Sequence, residues 1–378
     1  MYVDFHCIQS VPPSCINRDD NGSPKSAIFG GVTRHRVSSQ AWKKSIRDSF
    51  NTELPSELIG TRTKRIVELV AERIIELSPQ LSDSAITLAS DCFQAGGVKV
   101  APPKKKGNPS DAPIVPESSY LFFLSNQQVD ALAKLGIAAA ETSESIDKKE
   151  AKAILKGMNS IDIALFGRMV ADSPNLNVDA ACQVAHSIST HRAVTEFDYF
   201  TAVDDVKARA QDEDAGAGMI GQIEFTSSTL YRYATINVTQ LIENLGSKEV
   251  ALIAIEAFAR AFVTSMPTGK QNTFANRTLP EAVLIQTRDT QPVSYANAFE
   301  KPVKHGAESG FAELSVQALV AQARAIEHGF GLTPLSSFAS TSIPHDAELF
   351  ENLAKESTFS ETLTLLNEDL ANRILVTP

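Results

Sequence analysis

Hydrophobic and polar positions alternate from the first residues, where Val3, Phe5 and Cys7 interleave with Asp4 and His6, and this period of two predicts a strand. From Ser39 the period lengthens. Trp42, Ile46 and Phe50 recur every four residues behind Ser38 or Ser39 as a cap, predicting a helix over 39–50. A second amphipathic helix is predicted over 60–77, with Ile66, Leu69, Val70, Ile74 and Leu77 on one stripe and Ser78-Pro79 as its stop. Short helices continue to Cys92, and 96–117, rich in Pro, Gly and Lys, reads as a loop. A continuous apolar run over 120–124 predicts a buried strand, followed by a helix through Ala140 and a charged helix around 145–157. Residues 178–192, with Ala180, Ala181, Val184, Ala185 and Ile188, read as a further helix. Over 196–225 an aromatic start at Phe197, Tyr199 and Phe200 passes through acidic sequence to Gly216, Gly218 and Gly221, which fits a long projecting hairpin. A strand over 229–238, a helix from Val250, a strand over 281–287 and helices over 313–329 and 346–373 complete the order. Strands and helices alternate irregularly, without repeats or a Rossmann glycine fingerprint, so the expected class is α+β with a helical insertion.

Charge changes this picture at one place. The chain carries 35 Lys+Arg against 45 Asp+Glu, a formal charge of -10, which argues against a protein that coats nucleic acid by charge alone but permits one basic face. Between Asn21 and Arg47 lie Lys25, Arg34, Arg36, Lys43, Lys44 and Arg47 without a single carboxylate. Such a run is often the solvated side of an amphipathic helix. Here Arg18 and Lys25 precede it in a Pro/Asn/Gly loop, and Ser38-Ser39-Gln40 place neutral donors at a helix start, where orphan N–H groups and the helix dipole favour phosphate. The aromatics from Phe197 to Phe200 suit stacking on bases or wedging between them, against the alternative that they bury under a sheet.

Catalytic chemistry has little local support. His186 and His191 are five apart and do not share a helix face, so they and His6 read as structural histidines. The adjacent pairs Asp19-Asp20 and Asp204-Asp205 cannot aim at one two-metal centre and suit turns or caps. Gly30-Gly31 and Gly96-Gly97 lack the Lys-Ser/Thr of a phosphate loop, and Gly-x-Ser-x-Gly is absent. No metal and no cofactor is expected. Cys7, Cys15, Cys92 and Cys182 are scattered and read as buried reduced thiols. The run 251–266 is interrupted by Glu256 and Arg260 and reads as a buried helix, so no membrane partner is expected, and without a signal-peptide pattern a cytoplasmic location is.

The segments 12–47, Gly167-Arg168-Met169, 185–205 and 224–241, with 243–249 and 294–304, closely resemble the CasC-type backbone subunits of type I-E CRISPR Cascade complexes, over nearly the whole chain. The resemblance implies an RNA-binding protein that is not an enzyme. It implies an RRM-like (ferredoxin-like) palm at 1–58, 181–194 and 226–378, inserted helical fingers at 59–180, and a β-hairpin thumb at 195–225. The implied partners are CRISPR RNA, target DNA reached through the guide, other copies of the same chain and other Cascade subunits. Copies would assemble head to tail along the spacer, each thumb kinking its neighbour's RNA at regular intervals and leaving the remaining bases to pair with DNA. Carried over residue by residue, Arg18 and Lys25 in the N-terminal loop and Ser39, Gln40, Lys43 and Arg47 on the helix would hold phosphates and riboses. Arg168 and Met169 would touch RNA near the kink. Tyr199, Phe200 and Thr201 would wedge beside the displaced nucleotide, with Tyr199 standing where a relative carries Trp, and Lys270 and Gln271 would form a basic palm loop. Lys104-Lys105-Lys106 matches no family motif, and two expectations stand for it: electrostatic capture of the target DNA duplex, or a solvated loop. Two other readings stay open: a metal-dependent ribonuclease using His6, His191 or the Asp pairs, and a structural filament protein.

Overall fold

A computed structural model describes the chain except for residues 104–113, 171, 203–208, 210–218, 307–308, 345–348 and 376–378. The chain divides into two compact units, the first formed by Met1–Ser49, Val184–Thr235 and Phe258–Pro378, the second by Phe50–Gln183 and Ile236–Ala257. Secondary structure is mixed α and β, as expected. The Lys104–Lys106 run and Asp204-Asp205 lie outside the described residues.

The first unit is built on a large sheet. Its strands are β1 (Tyr2–Ser14), β2 (Ser26–Phe29), β3 (Val32–Val37), β9 (Ser187–Ser189), β10 (Glu196–Ala202), β11 (Met219–Asn237), β12 (Ala282–Arg288), β13 (Ser336–Thr341) and β14 (Lys355–Glu356), with β8 (Cys182–Val184) at the boundary. The order is β14-β13-β12-β1-β11-β9-β3-β2, with β8 and β10 both pairing β11 off this path. Pairing is antiparallel where β1 meets β12, from Tyr2↔Arg288 to Ile8↔Ala282, and parallel between β13 and β14.

β1 runs through the middle of this sheet and is buried on both faces. The odd positions behave as the alternation predicts, with the Phe5 ring 5.2 Å from Phe258 and 6.0 Å from Phe262. The polar positions are also interior. Asp4 and Arg288 form an ion pair at 3.0 Å with both side chains fully buried. Asp4 also accepts from Tyr233 Oη and the Val293 amide, while Arg288 donates to the Leu332 carbonyl, Gln286 and Tyr295. His6 stacks on Tyr295 at 4.5 Å, and burial, then the Arg288 charge, keep its pKa well below the ordinary value. A polar alternation along the chain therefore marks a second, hydrogen-bonded interior rather than a wet face.

The helices of this unit are α1 (Ser39–Glu53), whose last turn from Phe50 belongs to the second unit, the end of α8 (Lys248–Thr264), the short α9 (Gln271–Phe274), α10 (Phe311–Phe330) and α11 (Phe359–Ile374). α10 buries Val316, Leu319, Val320 and Ala323 in a cluster with Ile8, Leu284 and Tyr231. The helix expected over 346–373 starts later, because Thr358 and Glu361 form a capping box and Lys355–Glu356 joins the sheet.

The second unit is mainly helical: α2 (Ile66–Leu77), α3 (Ala85–Ala95), α4 (Asn126–Thr142), α5 (Lys148–Lys156), α6 (Ile161–Phe166), α7 (Val238–Leu245) and the start of α8. Ile66, Val70, Ile74, Phe93, Phe122, Leu132 and Leu155 share its core. Residues expected to open a helix at 60 instead form β4 (Gly60–Thr63), paired with β7 (Phe122–Ser125), while β5 (Val100–Ala101) pairs with β6 (Glu117–Ser118). The expected helix over 178–192 is absent. Residues 182–184 and 187–189 are drawn into β8 and β9 by pairing with β11, and β9 also pairs with β3, so tertiary partners override an alanine-rich local preference. All four cysteines are free and buried, as expected. Among the described residues no helix is long and apolar enough to cross a membrane.

Replacing Arg288 by Ala strands a buried carboxylate, and the expected loss is about 3–5 kcal/mol of unfolding free energy, read from urea denaturation. A loss below about 1 kcal/mol would show that the Asp4 network does not hold the sheet.

Candidate nucleic-acid interface

The N-terminal loop is a set of hydrogen-bonded turns. Asp19 accepts from the amides of Asn21 and Ser23 at 2.9 and 3.0 Å, the capping role its sequence suggests, and Gly22 takes the positive φ of 91° that closes the turn. Asn17 ties this loop to α1. Its carbonyl accepts from the Lys25 amide at 3.0 Å and its side-chain oxygen from the Ser38 amide at 2.9 Å. Pattern reading passes over Asn17, although Asn in a Gly/Asp-rich loop is the local signal for such a bridge.

α1 buries Trp42, Ile46 and Phe50, as its four-residue spacing predicts, and Ser38 Oγ caps it by accepting from the Ala41 amide at 3.3 Å. Trp42 donates its indole N–H to Ser187 Oγ at 2.9 Å, and the Arg232 guanidinium lies 3.8 Å from its ring centroid. With that face fixed, Gln40 and Lys44 are exposed, and Ser39, Lys43 and Arg47 half-buried. The basic window divides on inspection. Arg34 is fully buried and donates to the carbonyls of Phe29, Ser189 and Phe299, so it builds the fold rather than meeting a ligand. Lys44 pairs with Asp48.

Two candidate groups far apart in sequence meet beside this loop. A Cβ on Gly269 would come within 2.5 Å of the Ile16 carbonyl oxygen and 2.7 Å of that of Cys15, so only glycine lets the following Lys270-Gln271 turn lie against the N-terminal loop. Burial raises the pKa of the Cys15 thiol; the Arg18 and Lys270 charges act to lower it, and those of Glu224 and Asp19 to raise it. Lys270 itself sits at φ 48°, a conformation uncommon for a non-glycine residue and concentrated at functional sites. α9 then packs Phe274 6.0 Å from Phe225, at the base of the β10–β11 hairpin.

That hairpin is antiparallel from Glu196↔Phe225 to Ala202↔Met219. Strand parity separates the expected wedge residues: Phe197, Tyr199 and Thr201 lie on one face, Phe200 on the other. Phe197 and Tyr199 are 61% and 64% exposed, two large rings held out on one face. Phe200 lies over Gly221, where an added Cβ would approach its ring to 2.3 Å.

Arg168 and Met169 belong to the second unit and have opposite fates. Arg168, expected to touch RNA, is buried, and its guanidinium donates to the carbonyls of Leu176, Phe123 and Leu155 at 2.9, 3.3 and 2.6 Å. It also lies 5.3 Å from the Phe122 ring centroid, and burial lowers its pKa to about 10. The guanidinium thus anchors the turn from inside. Gly167, at φ 80°, starts that turn, and Met169 emerges from it 83% exposed.

The residues of the nuclease reading are placed differently. His6 is enclosed by tyrosines, and His191 is buried with its ring 3.9 Å from Phe311. Among the described residues no group of three or more His, Cys, Asp or Glu side chains could hold a metal ion.

A sheet-based unit with a basic loop, a basic helix start and an aromatic hairpin has the features of a nucleic-acid-binding protein. Residues 3–365 match the family of CT1975-like proteins, and the chain belongs to that family. A chain of a solved structure titled "CRISPR RNA-guided surveillance complex, pre-nicking" is 30% identical, with a TM-score of 0.82 over 98% of this chain and 100% of that one. Another, from a "CRISPR RNA-guided surveillance complex", is 27% identical, with a TM-score of 0.71 over the same shares. None of the curated proteins matches the chain.

Substituting Arg168 by Met leaves several interior carbonyls without a donor, and the expected cost is about 3 kcal/mol in denaturant unfolding. A change below about 0.5 kcal/mol would return Arg168 to the surface roles.

Proposed function

We propose that this chain is the RNA-binding backbone subunit of a type I-E Cascade complex, a scaffold without chemistry of its own that holds the guide and presents it for pairing with target DNA. The observation that carries this reading is the convergence, within one unit, of the Arg18/Lys25 loop, the α1 start, the Lys270 turn and the exposed rings of the hairpin. Phosphate-holding groups and a stacking pair on one rigid support suit a single strand whose backbone is gripped while its bases are spaced. In this reading residues 1–58, 181–194 and 226–378 supply an RRM-like palm, residues 59–180 the fingers, and 195–225 the thumb. Copies polymerise head to tail along the spacer with other Cascade subunits, and each thumb displaces one nucleotide of its neighbour's RNA. Ser39, Gln40, Lys43, Arg47, Lys270 and Gln271 hold the RNA backbone, Tyr199 and Thr201 act at the kink with Phe200 supporting them from the opposite face, and Met169 packs on a base. Lys104–Lys106 assists capture of the DNA duplex.

Replacing Lys43 and Arg47 together by Ala removes two phosphate contacts. The expected result is weaker binding of every spacer sequence alike, with the slope of log affinity against log salt reduced by about 1.4. Filter binding over a salt series checks this, and a loss confined to particular spacers would contradict backbone readout.

A further inference from the structure

His186 reads in sequence as a structural histidine, but it is exposed, at the turn between β8 and β9. The ladder between β3 and β9 pairs Arg36 with Ile188 and Val37 with Ser187, so His186 lies one step beyond its last pair, where β3 leads through Ser38 into α1. The neighbouring Ser187 is the acceptor for Trp42 of that helix, which fixes the histidine's strand to the helix start. Arg36 reaches across from β3. Its Nη1 donates to His186 Nδ1 at 3.0 Å, its Nε donates to the Ser26 carbonyl at 3.2 Å, and its amide donates to the Lys25 carbonyl at 2.9 Å. Lys25, Arg36 and His186 thus form a cluster of two cations and an imidazole beside the end of the loop that Asn17 holds.

We infer that Arg36 and His186 complete a phosphodiester-binding subsite with Lys25, and that RNA occupies it with uptake of a proton by His186. This inference rests on the reading of the chain as an RNA-binding subunit. Because Nδ1 accepts from Arg36 in the free protein, the ring proton is on Nε2, and that edge donates to a phosphate oxygen. Protonating Nδ1 abolishes its acceptor role and sets an imidazolium against a guanidinium. That arrangement is unfavourable unless an anion lies between them, and a bridging phosphate accepts from both. The charges acting on the ring are Arg36 from β3 and Lys25 from the loop before β2. Burial, and then these two cations, hold the free imidazole below its ordinary pKa, so it is neutral near pH 7. A phosphate reverses the local field and raises that pKa.

The sign follows by linkage. Where the bound state holds more protons than the free state, affinity rises as pH falls, and a one-unit rise in the His186 pKa on binding is worth about tenfold. The test is fluorescence anisotropy of the full-length chain with a labelled single-stranded RNA at constant ionic strength, from about pH 7.5 to about pH 5.5, spanning the histidine range. Wild type is expected to tighten about three- to tenfold, and His186→Gln to lose most of that gain. His186 is exposed, so the variant keeps the fold, and a proton NMR titration of its ring gives a second readout: its pKa rises when RNA is added. RNA binding that depends on Lys43 and Arg47 but has the same pH profile in both proteins would overturn this subsite alone. Absence of RNA binding by wild type at every pH would overturn the RNA-binding reading with it.

Discussion

The Arg232 guanidinium lies between two aromatic rings, 3.8 Å from the centroid of Trp42 and 4.5 Å from that of Phe262, and donates to Gln9 and to the Phe262 carbonyl. It is buried, and burial lowers its pKa to about 10, leaving it charged at neutral pH. A cation desolvated in this way is tolerable only if its hydrogen-bond acceptors and both flanking rings stay in place. That constraint fixes α1, because Trp42 is the helix's first buried anchor and its indole N–H is spent on Ser187. Every polar group proposed for RNA on α1 takes its direction from this clasp, so the proposed site rests on a rigid cation–aromatic core.

The division of labour among arginines follows the same logic. Arg34, Arg168, Arg232 and Arg288 are interior and bind mostly carbonyls or a buried carboxylate, whereas Arg18 is exposed and Arg36 half-buried. Guanidinium groups suit both tasks, since five fixed donors satisfy several carbonyls at once or fork onto phosphate. In this acidic chain of formal charge -10 the cations are sorted in space, with Lys25 and Arg36 in a window free of carboxylates, which leaves one local patch suited to a polyanion.

Much of this was legible in the sequence. The β1 alternation, the 42-46-50 stripe of α1, the pairing of 196–202 with 219–225 and the core strand β12 all follow from period and turn chemistry. What failed depends on distant partners. Residues 178–192 look helical until β11 and β3 claim β8 and β9, and 60–63 look helical until Phe122–Ser125 pairs with them. In the site, sequence identifies a basic window but cannot say that Arg34 turns inward to Phe299 or that Arg168 is enclosed by three carbonyls. Parity along β10 was readable, and it would have set Phe200 apart from Tyr199.

The central claim is that one face of the sheet unit meets the guide. Ultraviolet cross-linking of RNA to the full-length chain in its assembled complex, with the adducts mapped by peptide mass spectrometry, tests it most directly. The account predicts adducts on 15–47, on Phe197 or Tyr199 of the hairpin, and on the turn at Lys270. Adducts confined to α10 and α11, or absent while RNA remains bound, would contradict it.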